Sequence, residues 1–242
     1  MAKFLLATTR RHLQGITAVT KTRLVSSLVA DPSVVDATSA PQDFTPECAV
    51  VYRDFLTPQE GEMLSENILQ RLGRRRYEKG HWDAVIKDYK EVELPDDLIE
   101  DQGISDIFRK TRDLLEKNHL SYQPVTWLPC HAIDLKEGGE LNAHVDSVKF
   151  SGDLVAGISL LSSSIMRLVP HIDGGGPLYD GHVDLYLPPL SLYALTGVAR
   201  YRYSHELLKT QSTFTGPDGT STIVQRGHRL SIIFRDSKRD SS

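Results

Sequence analysis

The sequence predicts an α+β chain in which N-terminal helices pack outside a β core. Three observations carry this: helix-period apolar faces near 57–72 and 104–117, a change after residue 124 to short runs rich in Val, Ile, Leu and Tyr, and Gly, Pro, Asp and Ser between those runs. The composition agrees. A chain of 242 residues, 40% hydrophobic and 25% charged, can bury one substantial core and is short for two. No apolar stretch approaches the roughly 18 residues that a membrane-spanning helix needs. Two cysteines, Cys48 and Cys130, are no disulfide framework and fit a reducing compartment, each read as a small buried hydrophobe.

The N-terminus is read first. Residues 1–30 carry Lys3, Arg10, Arg11, Lys21 and Arg23 with no Asp or Glu, many Ser and Thr, and scattered apolar residues. That pattern is read as a mitochondrial transit peptide. Removing its five cations takes the net charge from −4 to −9. Residues 31–46, small, polar and Pro-containing, are read as a linker, 47–236 as the folded domain and 237–242 as a tail. Cys48–Tyr52 is a short apolar strand. Thr57-Pro58-Gln59-Glu60 starts a helix: Thr57 caps, Pro58 suits the first helical position and Glu60 closes a capping box. Leu64, Ile68 and Leu72 then share a face until Gly73 ends the pattern. The second helix turns Ile104, Ile107, Phe108, Thr111 and Leu115 inward. Strands are expected near 125–134, 141–148, 154–162, 165–169, 183–188, 191–196, 200–207, 221–225 and 229–235.

The chemistry starts from His-x-Asp, which can give one ion an imidazole and a carboxylate when it sits on a strand, because residues two apart share a face. The motif is weak alone. It occurs four times, at His81–Asp83, His144–Asp146, His171–Asp173 and His182–Asp184, where chance gives about one. A jelly roll, the double-stranded β-helix, brings such a pair to a distal His only after about four strands, roughly 40–70 residues. Counting back from His205, His182 is 23 residues away and His171 is 34, both too close, whereas His81 is 124 away and too far. His144 is 61 away, within the alternating segment Leu141–Val148, and is the one that fits. The run Arg229-Leu-Ser-Ile-Ile-Phe-Arg235 then places two guanidiniums on one face of a strand, since six is an even spacing. Buried arginines need an anion, and a dicarboxylate supplies one by bidentate pairing.

His144-x-Asp146, His205 and Arg229-x5-Arg235 together resemble the signature of the AlkB family of Fe(II)/2-oxoglutarate-dependent dioxygenases. Wider stretches are similar to a mitochondrial branch of that family: Arg74-Arg-Arg-Tyr-Glu78, His81-Trp-Asp-Ala84, His144-Val-Asp-Ser147, Ala156–Ser162, Met166–Val169, Ser191–Tyr193, Ala199–Tyr201 and Ser204–Glu206. The similarity spans about 47–236. It implies a double-stranded β-helix core, Fe(II) held by His144, Asp146 and His205, 2-oxoglutarate as cosubstrate and O2 as oxidant. It also implies that Arg229 pairs with the distal carboxylate of 2-oxoglutarate, that Arg235 lies near its metal-chelating end, that Tyr193 contacts it, and that the backbone of Leu230 and Ser231 lines the same pocket. One departure is visible: the Asn and Tyr that many AlkB proteins place eleven and nine residues before the first metal His are here Ile133 and Leu135.

The substrate is less legible. AlkB relatives often act on methylated bases, but the body at −9 lacks the basic surface that phosphate binding needs. Its only strong basic cluster, Arg74-Arg75-Arg76, also reads as a helix C-terminal turn. The expectation is a monomer in the mitochondrial matrix that hydroxylates or oxidatively demethylates a protein, with structured RNA such as tRNA as the alternative and no DNA partner. The resemblance adds a link to fatty-acid metabolism and regulated necrosis. A different class stays open, a non-catalytic β-roll module holding structural zinc, although that would have no use for Arg229 and Arg235.

Overall fold

The computed structural model describes residues 28–80, 85–171 and 180–239. The expected transit peptide falls mostly in 1–27, and His81–Ala84 and Asp173 also lie outside the described residues. Twelve strands and three α-helices are present among the described residues: β1 (Val35–Asp36), β2 (Ala49–Tyr52), α1 (Pro58–Leu72), β3 (Ile86–Leu94), α2 (Gln102–His119), β4 (Cys130–Leu141), β5 (Ser151–Leu160), β6 (Ser164–Pro170), β7 (Val183–Leu187), β8 (Ser191–Leu195), α3 (Gly197–Tyr201), β9 (Tyr203–Leu207), β10 (Ser212–Thr215), β11 (Ser221–Val224) and β12 (Arg229–Ser237).

The N-terminal helices form where the local code places them. Thr57 Oγ1 accepts from the Glu60 amide at 3.2 Å and the Glu60 carboxylate accepts from the Thr57 amide at 2.8 Å, which closes the capping box with Pro58 at the helix start. Gly73 takes a φ of +43°, a conformation open to glycine, and ends α1. On α2 the side chains of Ile104, Ile107, Phe108, Thr111 and Leu115 are all buried, as the spacing requires.

The strands make two antiparallel sheets and a hairpin: β2-β8-β5-β12-β4-β3, β1-β7-β6-β9, and β10-β11. The pleat of the six-stranded sheet sorts its residues. Leu154, Ala156, Ile158, Leu160, Leu230, Ile232 and Phe234 face α1 and α2 and form one apolar core. Residues of opposite parity face the four-stranded sheet, where Val51, Tyr89, Leu135, Tyr193 and Leu195 meet Met166, Leu168, Leu185 and Tyr203 in a second core. This is the expected jelly-roll core with helices outside.

Local expectations change at several places, and β3 was not anticipated. The strand expected over 200–207 begins only at Tyr203, because residues 197–201 form α3. Residues 31–46 are not a free tether: Val34 and Phe44 are buried, and Val35 and Asp36 pair with Leu185 and Asp184 of β7. β3 escapes period-2 reading because a bulge at Asp88, with φ of +52°, switches the face of its apolar residues. The strand expected over 125–134 begins at Cys130 and runs on to Leu141. The strand expected over 141–148 is absent, because Gly138 at φ +79° and Gly139, whose missing Cβ would lie 2.8 Å from Leu135 Cδ1, let β4 kink and continue along β3.

Candidate active site

His205 lies on β9 with its side chain toward the space between the sheets, 7% exposed. His144 follows β4 in an irregular segment. The two are joined by a reciprocal antiparallel bridge, His144 N–H to the His205 carbonyl at 3.1 Å and His205 N–H to the His144 carbonyl at 2.8 Å. Their rings stand 4.2 Å apart, centroid to centroid. The pairing expected of two strands is thus achieved by one bridge, and the shared-face argument for His144 and Asp146 is replaced by loop geometry.

The donor chemistry is well defined. His144 Nδ1 lies 2.8 Å from the Asn142 carbonyl oxygen, which can only accept, so the ring proton sits on Nδ1 and Nε2 keeps its lone pair for a cation. Burial, aided by His144, lowers the His205 pKa to about 3, so this imidazole is neutral. Burial opposes ionisation of Asp146, but Arg235 first, then His205 and His144, hold it at about 2. Two imidazoles and one carboxylate held ionised suit Fe(II). Among the described residues, however, no three His, Cys, Asp or Glu side chains are drawn to ligation distance as they stand. Asp146 Oδ1 accepts from Arg235 Nη2 at 2.9 Å.

Arg229, Ser231, Ile233 and Arg235 all face the hollow, as the even spacing requires. Arg235 is at the His end. Arg229 is at the far end, 3% exposed, with Nε donating to Ser164 Oγ at 3.2 Å and Nη2 buried without a partner among the described residues. Burial pulls its pKa down to about 10, a sign of a cation short of counter-charge. A carboxylate would satisfy both needs. Tyr193 stands across β5 from β12, and Gly157 makes room for it: a Cβ there would lie 2.5 Å from Tyr193 Cε1 and 2.7 Å from its hydroxyl oxygen. Burial pushes the Tyr193 pKa up to about 12, so its hydroxyl stays a donor.

Ile133 and Leu135 occupy the same face, opposite Ser231 and Arg229, so the departure from the AlkB pattern makes that wall apolar. Leu230 points the other way, into the helix-packed core, and its main chain sits between the ladders to β4 and β5. Of the rival pairs, Asp184 gives both carboxylate oxygens to Arg167 at 2.8 and 2.7 Å, and it is His144, not His182, that is bridged to His205. Sequence reading missed Asn142, Ser164 and Arg200, whose roles exist only through contacts across 49 or more residues or through a main-chain oxygen. A cavity of about 350 Å³ lined by Phe108, Arg112 and Trp127 lies on the helix side of the sheet, away from the histidines.

A jelly roll holding His-x-Asp, a distal His and two inward arginines is the layout of an Fe(II)/2-oxoglutarate oxygenase. Solved structures with similar folds include a Pseudomonas putida prolyl-4-hydroxylase (TM-score 0.53, 12% identity, 80% of this chain and 94% of that one). They also include the collagen prolyl hydroxylase of Paramecium bursaria Chlorella virus-1 in complex with 2-oxoglutarate (0.51, 15%, 79% and 97%) and OsALKBH1 (0.51, 16%, 80% and 100%). No family model matches the chain. Two curated relatives, both called alpha-ketoglutarate-dependent dioxygenase alkB homolog 7, mitochondrial, are each 38% identical: that of Mus musculus over 187 residues, 77% of each chain, and that of Bos taurus over 192 residues, 78% of each. The chain belongs to the alkB homolog 7 family of alpha-ketoglutarate-dependent dioxygenases. As such it is an oxidoreductase that uses Fe(II), 2-oxoglutarate and O2.

Proposed function

We propose that His144, Asp146 and His205 hold Fe(II), that Arg229 and Tyr193 hold the distal carboxylate of 2-oxoglutarate, and that the enzyme oxidises a protein in the mitochondrial matrix. The carrying observation is the bridge that sets the two imidazoles side by side, with the unpartnered Arg229 nitrogen in the hollow of the same sandwich. Bound Fe(II), with 2-oxoglutarate and O2, supplies oxidative decarboxylation to succinate and CO2 and delivers one oxygen atom to a substrate C–H bond. The chain does the rest. Asn142 fixes the His144 tautomer, Arg235 keeps Asp146 ionised, Arg229 and the protonated Tyr193 orient the cosubstrate, and Ile133 and Leu135 exclude water from its wall. Hydroxylation of an N-methyl group would release formaldehyde, while hydroxylation of a carbon side chain would leave a stable product.

Charge favours a polypeptide over nucleic acid. The chain beyond residue 30 has a net charge of −9, and Glu91 and Glu93 lie exposed on edge strand β3 opposite Ile133 and His131. The loop that carries Asp146 also exposes Val148 and Phe150. Arg75 of the basic cluster donates to the Glu91 carbonyl at 2.9 Å, tying the cluster to this edge. The relatives' names and the acid-free leader support a mitochondrial location. The test is anaerobic addition of Fe(II) and 2-oxoglutarate, read by the visible charge-transfer absorption of the ternary complex. The band is expected in the wild type and lost in His144→Ala; an undiminished band in His144→Ala would refute the ligand assignment.

A further inference from the structure

Asp146 is held at two points. Its carboxylate accepts from Arg235, and its carbonyl oxygen accepts from Arg200 Nη1 at 3.0 Å. Arg200 Nη2 reaches the Ser151 Oγ at 2.8 Å, the Ser147 carbonyl at 3.3 Å and the Ser151 carbonyl at 3.5 Å. Ser151 Oγ in turn donates to the Ser147 carbonyl at 2.7 Å, closing the loop on itself. The next residue extends the seam: the Tyr201 hydroxyl bonds the Gly152 carbonyl oxygen at 3.0 Å and Asp153 Oδ1 at 2.6 Å.

Arg200 is 2% exposed and makes no ion pair among the described residues. The acceptors of its guanidinium, three main-chain carbonyls and the Ser151 hydroxyl, all belong to residues 146–151, while its Nε has no partner among the described residues. A buried guanidinium is tolerable only while such acceptors stay in place. Moving the loop that carries Asp146 away would strip the guanidinium of the Asp146 and Ser147 carbonyls and leave it only Ser151, the first residue of β5. Arg200 also sits on α3, which runs directly into β9, five residues before His205. One side chain thus joins the segment that carries the carboxylate to the strand that carries the distal imidazole.

We infer that Arg200 is a positioning residue for the metal centre, fixing the backbone of Asp146 relative to His205 through the 146–151 loop. The inference rests on the reading of Asp146 as a ligand. It gives the buried arginine a task that neither cosubstrate binding nor core packing requires, since its bonds go to the loop and not into the hollow occupied by Arg229.

The test uses the full chain with Co(II) as a turnover-free probe. Arg200→Gln is expected to weaken Co(II) binding by about 10–100-fold, the usual effect of removing a residue that orients a ligand. Arg200→Lys should recover only part of the loss, because one ammonium cannot reach the Asp146 carbonyl and the Ser151 hydroxyl together. Ser151→Ala should weaken binding a few-fold, and at saturating metal the 2-oxoglutarate affinity should be that of the wild type in all three. Arg112→Gln, which removes a contact to Asp96 on the helix side, is the control for stability alone and should lower the melting temperature with Co(II) binding intact. Wild-type Co(II) affinity in Arg200→Gln overturns the inference, as does a loss that tracks melting temperature in the same proportion as Arg112→Gln. If Arg200→Gln does not fold, Arg200→Lys and Ser151→Ala decide, and wild-type affinity in both overturns it. Asp146→Asn separates the two levels. Wild-type Co(II) affinity there defeats the ligand reading, whereas loss in Asp146→Asn with none in Arg200→Gln defeats only the positioning role.

Discussion

The two faces of β12 solve opposite problems with alternate residues of one strand. Leu230, Ile232 and Phe234 turn toward α1 and α2, where Phe234 meets Phe108 edge-on at 5.3 Å between ring centroids. Arg229, Ser231, Ile233 and Arg235 turn toward the four-stranded sheet, where a guanidinium is buried with one nitrogen lacking a partner among the described residues. The first face contributes stability through close packing. The second gives up stability to leave charge waiting for a ligand. Stability and function therefore separate by residue parity, and substitutions on the two faces should have different readouts.

Phe234→Ala is expected to produce the largest effect on folding, a loss of about 3–5 kcal/mol in denaturant unfolding, because a fully buried ring is removed. Arg229→Met, one face over, should leave unfolding nearly unchanged and raise the KM for 2-oxoglutarate on the order of 100-fold, the worth of a charge-assisted contact. Equal stability losses in the two variants would break the parity argument.

Gly157→Ala sharpens it further. The added methyl meets Tyr193 at 2.5–2.7 Å, so the ring must shift, with an overpacking cost of about 1–3 kcal/mol and weaker cosubstrate binding. In a Tyr193→Val background the same substitution should cost little, and a double-mutant cycle measures that coupling. Additive effects would show that the ring is not what Gly157 accommodates. The smallest effect expected is Thr57→Ala, which removes the α1 cap far from the hollow. It should lower stability by about 1 kcal/mol and leave the 2-oxoglutarate KM untouched.

The legible parts were those governed by neighbours in sequence. The capping box, the inward face of α2, the turn at Gly73 and the common side of Arg229 and Arg235 each follow from a period or a local hydrogen bond. The pairing of His144 with His205 was also anticipated, though for an imperfect reason. A strand was expected over 141–148, but the backbone leaves the β4 ladder before His144, and a single reciprocal bridge makes the contact.

By itself, the sequence determined the start and stop of α1, the inward face of α2, the two-faced β12 and the set of candidate ligands, because rise, period and capping act over a few residues. The tertiary structure alone decided that Asp146 sits in a loop clasped by Arg200 and Arg235, that Ser164 supports Arg229, and that residues 31–46 pack onto the β core. Those arrangements depend on which segments meet after the chain closes on itself, and a buried charge has no preferred partner until its surroundings exist.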